Sequence, residues 1–322
     1  MSARRKHISK EVIMSESKIS VMHEKDMQKV SSGQKVKKVF SYIGLYTFLL
    51  IMALIVIFPF YWMLISSVKS VSEYMLPEPT LFPREILWGN YVEAFNLGNL
   101  GQLFINTMYV GIVSTLLSLV ITVLSAFAFA RLEFKGRDAL FGALLATMMI
   151  PGELFTITNY QTVYFFGWTI KANTPYSLMN FTGLIVPFLV SVFYIYLLRQ
   201  NFLQIPNELY LAAKVDGTSD IKYLWKVMIP LALPTLISIT ILKMMGAWNS
   251  YIWPRLITKD SQHLLITNGL RQLSFEDPAM PGIVNYPLQM AAVAIVSFPL
   301  FMVFVFLRKY IMKGVSRSGI KG

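Results

Sequence analysis

Six apolar runs, each about long enough to cross a bilayer, leave this chain two architectures. About 20 residues span the hydrocarbon layer as a helix. The runs lie at about 43–66, 103–130, 139–158, 176–198, 228–253 and 286–307. Backbone N–H and C=O groups cannot be left unpaired in lipid, so spanning segments are helices or a closed barrel. The in–out alternation of barrel strands is missing here. The expected fold class is therefore all-α, a polytopic membrane protein with six transmembrane helices. A 55% hydrophobic share and a mean hydropathy of +0.55 agree, since soluble domains sit at about 45–50% apolar.

Charge sets the orientation, because short cytoplasmic segments collect Lys and Arg. Of the 29 basic residues, 22 fall before run one, between runs two and three, between four and five, or after six. The alternate segments hold 6, and the last is Lys243, inside run five. Both termini and the segment between runs four and five are expected in the cytoplasm. The net charge of +12 would suggest nucleic acid in a soluble protein. Topology explains it better here, and no nucleic-acid partner is expected. With no cysteine, disulfides and thiolate metal sites are excluded.

Residues 1–38 are polar, with no apolar core or cleavage site of a signal peptide. They read as a disordered cytoplasmic tail, and Met14, Met22 and Met27 are alternative starts. Residues 39–322 form the expected transmembrane domain. Of the outer segments, 70–102 is rich in proline and aromatics, with Asn90-Tyr91 expected to cap a short helix.

The most distinctive polar stretch, 206–230, opens PNELYLAAKVDGTSD and closes at Ile229-Pro230. Glu208–Val215 suits two helical turns with an acid at the positive end of the dipole. Asp216-Gly217 breaks that helix, because glycine enters the left-handed region at little steric cost. A second helix, Ser219–Val227, would return to the membrane. A helix–Gly–helix hairpin on the cytoplasmic face is a knob that needs a receiving partner.

These residues resemble the coupling loop of binding-protein-dependent ABC importer permeases, in which Glu-Ala-Ala is followed by three residues, Gly and an Ile-x-Leu-Pro-like end. Ala212, Ala213, Asp216, Gly217, Ile229 and Pro230 fit, whereas the leading Glu is Leu211 here. FPFYWMLISSVK at 58–69, NTMYV at 106–110, FARLEFKGR at 129–137, MMIPGE at 148–153 and AWNSYIWP at 247–254 look like the carbohydrate (maltose-type) branch. The C-terminal stretch from Gln289 resembles its smaller, six-helix subunit, and the likeness covers about residues 40–322.

The resemblance implies a multi-pass inner (plasma) membrane permease that imports a sugar or oligosaccharide by alternating access. It implies a second homologous permease, an ATPase subunit dimer and an extracytoplasmic solute-binding protein as partners, with lipid around them. Glu208, Ala212, Ala213, Asp216, Gly217 and Pro230 would carry ATPase coupling. Lys313, Gly314, Arg317 and Lys321 would dock the C-terminal tail into the ATPase dimer. Sugars are held by polar side chains with aromatic stacking beneath, which nominates Asn159, Tyr160, Lys243, Trp248 and Asn249 for the substrate path. For the aromatics, helix packing competes with sugar contact.

No catalytic set is expected. GxxxxGK[ST] is absent, and His7, His23 and His263 are scattered. The chain is read as a non-enzyme without cofactor or metal, ATP hydrolysis belonging to other subunits. The alternative is a secondary transporter driven by an ion gradient, for which intramembrane charges would be required. Lys243 is its one mid-run candidate, and Glu153 lies near an outer end.

Overall fold

The computed structural model describes residues 39–277 and 280–316, so the tail 1–38 and the expected docking residues Arg317 and Lys321 lie outside the described residues. The chain divides into two units, 1–62 and 63–322. The described part of the first is most of helix α1 (Val39–Ser66), a 28-residue helix long and apolar enough to cross a membrane. Its side chains from 39 to 60 are exposed on every face, as a helix meant for lipid or another subunit requires.

In the second unit, α2 (Val71–Tyr74) and α3 (Gly89–Leu97) precede the long α4 (Leu100–Arg131). Asn90 does not cap α3; Trp88 holds that position. The Asn90 amide instead donates to the Ser67 and Lys69 carbonyls at 2.9 and 3.0 Å, closing the turn after α1. The third run, read as one helix over 139–158, is α5 (Arg137–Thr147) followed by a 3₁₀ turn at Gly152–Phe155 and α6 (Thr156–Phe165). The two halves meet at 88°. Pro151 lies at the corner with an extended backbone, since proline restricts its neighbour and removes a helix donor.

The fourth run is broken too. A 3₁₀ turn (Leu178–Phe181), α7 (Thr182–Ile185) and a second 3₁₀ turn (Val186–Phe188) lead at 63° into α8 (Val192–Leu203), which is capped by Ser191. The hairpin helices α9 (Asn207–Val215) and α10 (Asp220–Tyr223) follow. A π-turn (Leu224–Met228) and α11 (Ile229–Leu231) then bend by 79° into α12 (Leu233–Trp248), which carries Pro234 in its first turn. After α13 (Ile252–Ile257) and α14 (Ile266–Gln272), a short antiparallel ribbon, β1 (Glu276–Asp277) and β2 (Met280–Val284), precedes α15 (Tyr286–Ser316). The described chain is mostly helical, and this ribbon is its one sheet. Lys313 and Gly314, expected in the docking tail, lie inside the last turns of α15.

Helix α4 is the axis of this unit and packs against both α8 and α12. Its buried stripe, Thr107, Gly111, Ser114, Ser118 and Thr122, is small and weakly polar. Apolar area gives little driving force between helices in lipid, so small residues that allow close approach hold such seams. Gly111 shows the fit, because a Cβ there would meet Met244 Sδ at 2.7 Å. Below this seam a buried cluster of Phe127, Ala130, Leu198, Phe202, Tyr223 and Met228 joins α4, α8 and the second arm of the hairpin.

Candidate functional site

The hairpin is built by local rules. Asp216 ends α9, and Gly217 follows at φ 65°, in the left-handed region. The Thr218 N–H donates to the Ala213 carbonyl at 2.8 Å and the Gly217 N–H to the Lys214 carbonyl at 3.1 Å. Together these form a Schellman motif, which satisfies carbonyls that a helix end leaves open. Glu208 stands in the first turn of α9 and Lys214 in the last.

Four side chains then lock the arms together. Lys214 Nζ lies 2.7 Å from Asp220 Oδ1, and the Tyr210 hydroxyl donates to the same oxygen at 2.8 Å. The Tyr210 ring packs on Tyr223 with centroids 5.1 Å apart. The bond to Asp220 raises the Lys214 pKa, and the bond from Lys214 holds Asp220 below the usual carboxylate range. Burial, reinforced by Asp220, raises Tyr210.

The hairpin is also bolted to the helices above it. Arg131, at the end of α4 and buried, donates from Nη2 to the carbonyls of Phe202 and Ile205 at 3.0 and 2.5 Å. Its Nη1 reaches Asn207 Oδ1 at 3.3 Å, on the first residue of α9. Outward, the hairpin shows apolar side chains: Val215 is 88% exposed, Ile221 66%, Trp225 64% and Leu211 55%. Isolated exposed apolar residues need no explanation, but several on one small knob mark an interaction site. Sequence alone assigns no structural role to Tyr210, Lys214, Asp220 or Arg131. The i,i+4 spacing of Tyr210 and Lys214 and the first-turn position of Asp220 were the available signals.

A second feature lies between α12 and the broken span of α7 and α8. A cavity of about 370 Å³ is lined by Ser114, Phe188, Ser191, Tyr194, Lys243, Ser250 and Trp253, among others. Lys243 donates to the Phe188 carbonyl. A neighbouring cavity of about 480 Å³ shares Phe188, Ser250 and Trp253 and adds Glu153, Asn159 and Asn249. Asn159 and Asn249 therefore face one space, with Lys243 in the next. Trp248 is buried edge-on against Phe104, centroids 5.6 Å apart, and Tyr160 stacks on Tyr164. Among the described residues, no three His, Asp or Glu side chains converge as a metal site would require.

Comparison with known proteins fits this arrangement. A family model described as "Binding-protein-dependent transport system inner membrane component" matches residues 118–317. The chain belongs to this family. Its members are permease components of the inner membrane rather than catalytic subunits. The arabinooligosaccharides transport system permease protein AraQ of Bacillus subtilis (strain 168) is 27% identical over 283 residues, spanning 87% of this chain and 96% of AraQ. The sn-glycerol-3-phosphate transport system permease protein UgpE of Rhizobium meliloti (strain 1021) is 31% identical over 83% of this chain and 93% of UgpE. A crystal structure of a bacterial ABC transporter involved in the import of the acidic polysaccharide alginate shares the fold, with a TM-score of 0.73 at 22% identity, over 85% of this chain and 96% of that one. The relatives named for arabinooligosaccharide and sn-glycerol-3-phosphate transport support the resemblance to the carbohydrate, maltose-type branch of ABC importers.

Proposed function

We propose that this permease is one half of the membrane pathway of an ATP-driven importer for a sugar or oligosaccharide. Each bent pair counts as one membrane pass, giving six with α1, α4 and α15. Both termini and the α9–α10 hairpin face the cytoplasm, as the basic residues require. A homologous permease supplies the other half, two ATPase subunits receive the two hairpins, and an extracytoplasmic binding protein delivers the cargo. The basic tail with Lys313, Gly314, Arg317 and Lys321 docks against the same ATPases.

The observation that carries this reading is the hairpin, with its apolar tip exposed and its base bonded by Arg131 to α4 and to the end of α8. When ATP draws the ATPase subunits together, a knob held this way passes the displacement into the α4–α8–α12 core. The breaks at Pro151, 189–191 and Ala232 let the outer and inner halves of the spans tilt separately. Alternating access needs such bistable packing, not chemistry in this chain.

The test uses the absence of cysteine. Val215→Cys gives a single thiol at the hairpin tip. In membranes containing the co-expressed importer it should crosslink to the ATPase subunit. A thiol at Val215 that never reaches the ATPase in an assembled, transporting complex would refute the coupling role.

A further inference from the structure

We propose that the Lys243 cavity is an anion-recognition point in the pathway, so that the cargo is a saccharide or polyol bearing a carboxylate or phosphate. This deepens the importer reading and rests on it for the word cargo. Lys243 sits midway along α12, with an ammonium that offers three donors. Its protein partner is the Phe188 carbonyl. That carbonyl is available because the 3₁₀ turn Val186–Phe188 ends at the break before α8, so no helix ladder claims it. No carboxylate lines the cavity, and among the described residues Lys243 forms no ion pair. An ammonium at this depth is costly and is normally neutralised or functional.

The remaining lining fits the rest of such a ligand. Ser114, Ser191, Ser250 and Tyr194 bring hydroxyls to the same space, and Phe188 and Trp253 bring ring surface. The Trp253 indole is fixed by its bond to the Gly183 carbonyl at 3.0 Å, and its ring meets Phe188 edge-on. About 370 Å³ is at the lower end of the range for small-ligand sites, about 300–1,000 Å³. The Phe188 carbonyl takes one of the three donors of the Lys243 ammonium. An acidic group takes the other ammonium donors and supplies the missing charge.

The test is a tryptophan-fluorescence titration of the full chain in lipid nanodiscs, with glucuronate, glucose 6-phosphate and glucose as probes. The chain has six tryptophans, so the cavity signal is the part of the response that Trp253→Phe removes. At least one acidic probe should bind saturably and at least tenfold more tightly than glucose, and the better of the two identifies carboxylate or phosphate as the recognised group. Lys243→Met should reduce acidic-probe affinity at least tenfold, and Lys243→Arg should restore most of it. Circular dichroism and melting of each variant check the fold. Equal affinity for glucose, unchanged binding by a folded Lys243→Met, or no saturable response to either acid would overturn the proposal. The Val215 crosslink does not involve this cavity, so either idea can fail while the other stands.

Discussion

Arg131 Nη2 donates to the Ile205 carbonyl at 2.5 Å, and this bond joins the end of α4 to the segment that leads into the hairpin. A second bond to Phe202 and a third to Asn207 make the guanidinium a fork. Arg131→Met takes the donor from the Ile205 carbonyl, at a cost of about 1–3 kcal/mol if it stays buried and unpaired, whereas the Phe202 carbonyl keeps the Ile205 N–H at 3.3 Å. Arg131→Lys cannot reproduce the fork geometry and should recover only part of this. Thermal melting of the purified permease should rank wild type above Lys above Met, and uptake should follow the same order. A Met variant that melts and transports like wild type would show that Arg131 is merely tolerated there.

Gly217 isolates the conformational part of the hairpin. At φ 65° no atom lies within 4 Å of a Cβ built there, so a substitution meets strain and no clash. Gly217→Val should cost on the order of 1–2 kcal/mol of backbone strain, insert normally and lose uptake with ATPase association. Gly217→Asn, which tolerates the left-handed region, should keep most activity. Uptake by a well-expressed Val variant equal to wild type would remove the turn from the coupling mechanism.

The Lys214–Asp220 pair sets a pH window. Asp220 is depressed in the folded state, so its contribution is complete above the unfolded value of about 3.9 and disappears as pH falls through its lower folded value. Lys214 is raised, so its contribution is complete below about 10.4 and disappears as pH rises through its higher folded value. Corrected amide-exchange protection of α9 and α10 should therefore be flat from about pH 5 to 9 and drop in acid. Asp220→Ala should lower protection at neutral pH. Asp220→Asn, which still accepts from Tyr210, should fall between. A maximum inside the neutral range would assign the locking to another group.

Gly183 tests the packing around α7. A Cβ there would lie 2.5 Å from the Trp168 carbonyl oxygen, and backbone cannot step aside as a side chain can. Gly183→Ala should destabilise by about 1–3 kcal/mol and disturb the Trp253 indole bond to Gly183. A near-unchanged melting temperature would show that the α7 region relaxes freely.

Three long helices were legible as they stand, because α1, α4 and α15 are long apolar runs free of interior breaks or, in α15, carry Pro299 without ending. The other three runs have the right composition, but hydropathy counts residues and cannot see the corners at Pro151, after Phe188 and at Ala232. The Gly217 turn was readable from its local chemistry. The Arg131 fork was not, since two of its three acceptors are backbone carbonyls 71 and 74 positions away, which leave no trace in sequence. Lys243 stood out as a lone charge, but its carbonyl partner appears only once the fourth run breaks.

The most direct measurement is sugar uptake into sealed vesicles carrying the assembled importer and its loaded binding protein, with the energy source varied. Uptake should require ATP on the hairpin side, survive ionophores that collapse ion gradients, and vanish when the Gly217→Val permease is inserted at normal abundance. Uptake that continues without ATP and stops when the gradient is collapsed would contradict an ATP-driven permease and make Lys243 the centre of an ion-coupled transporter.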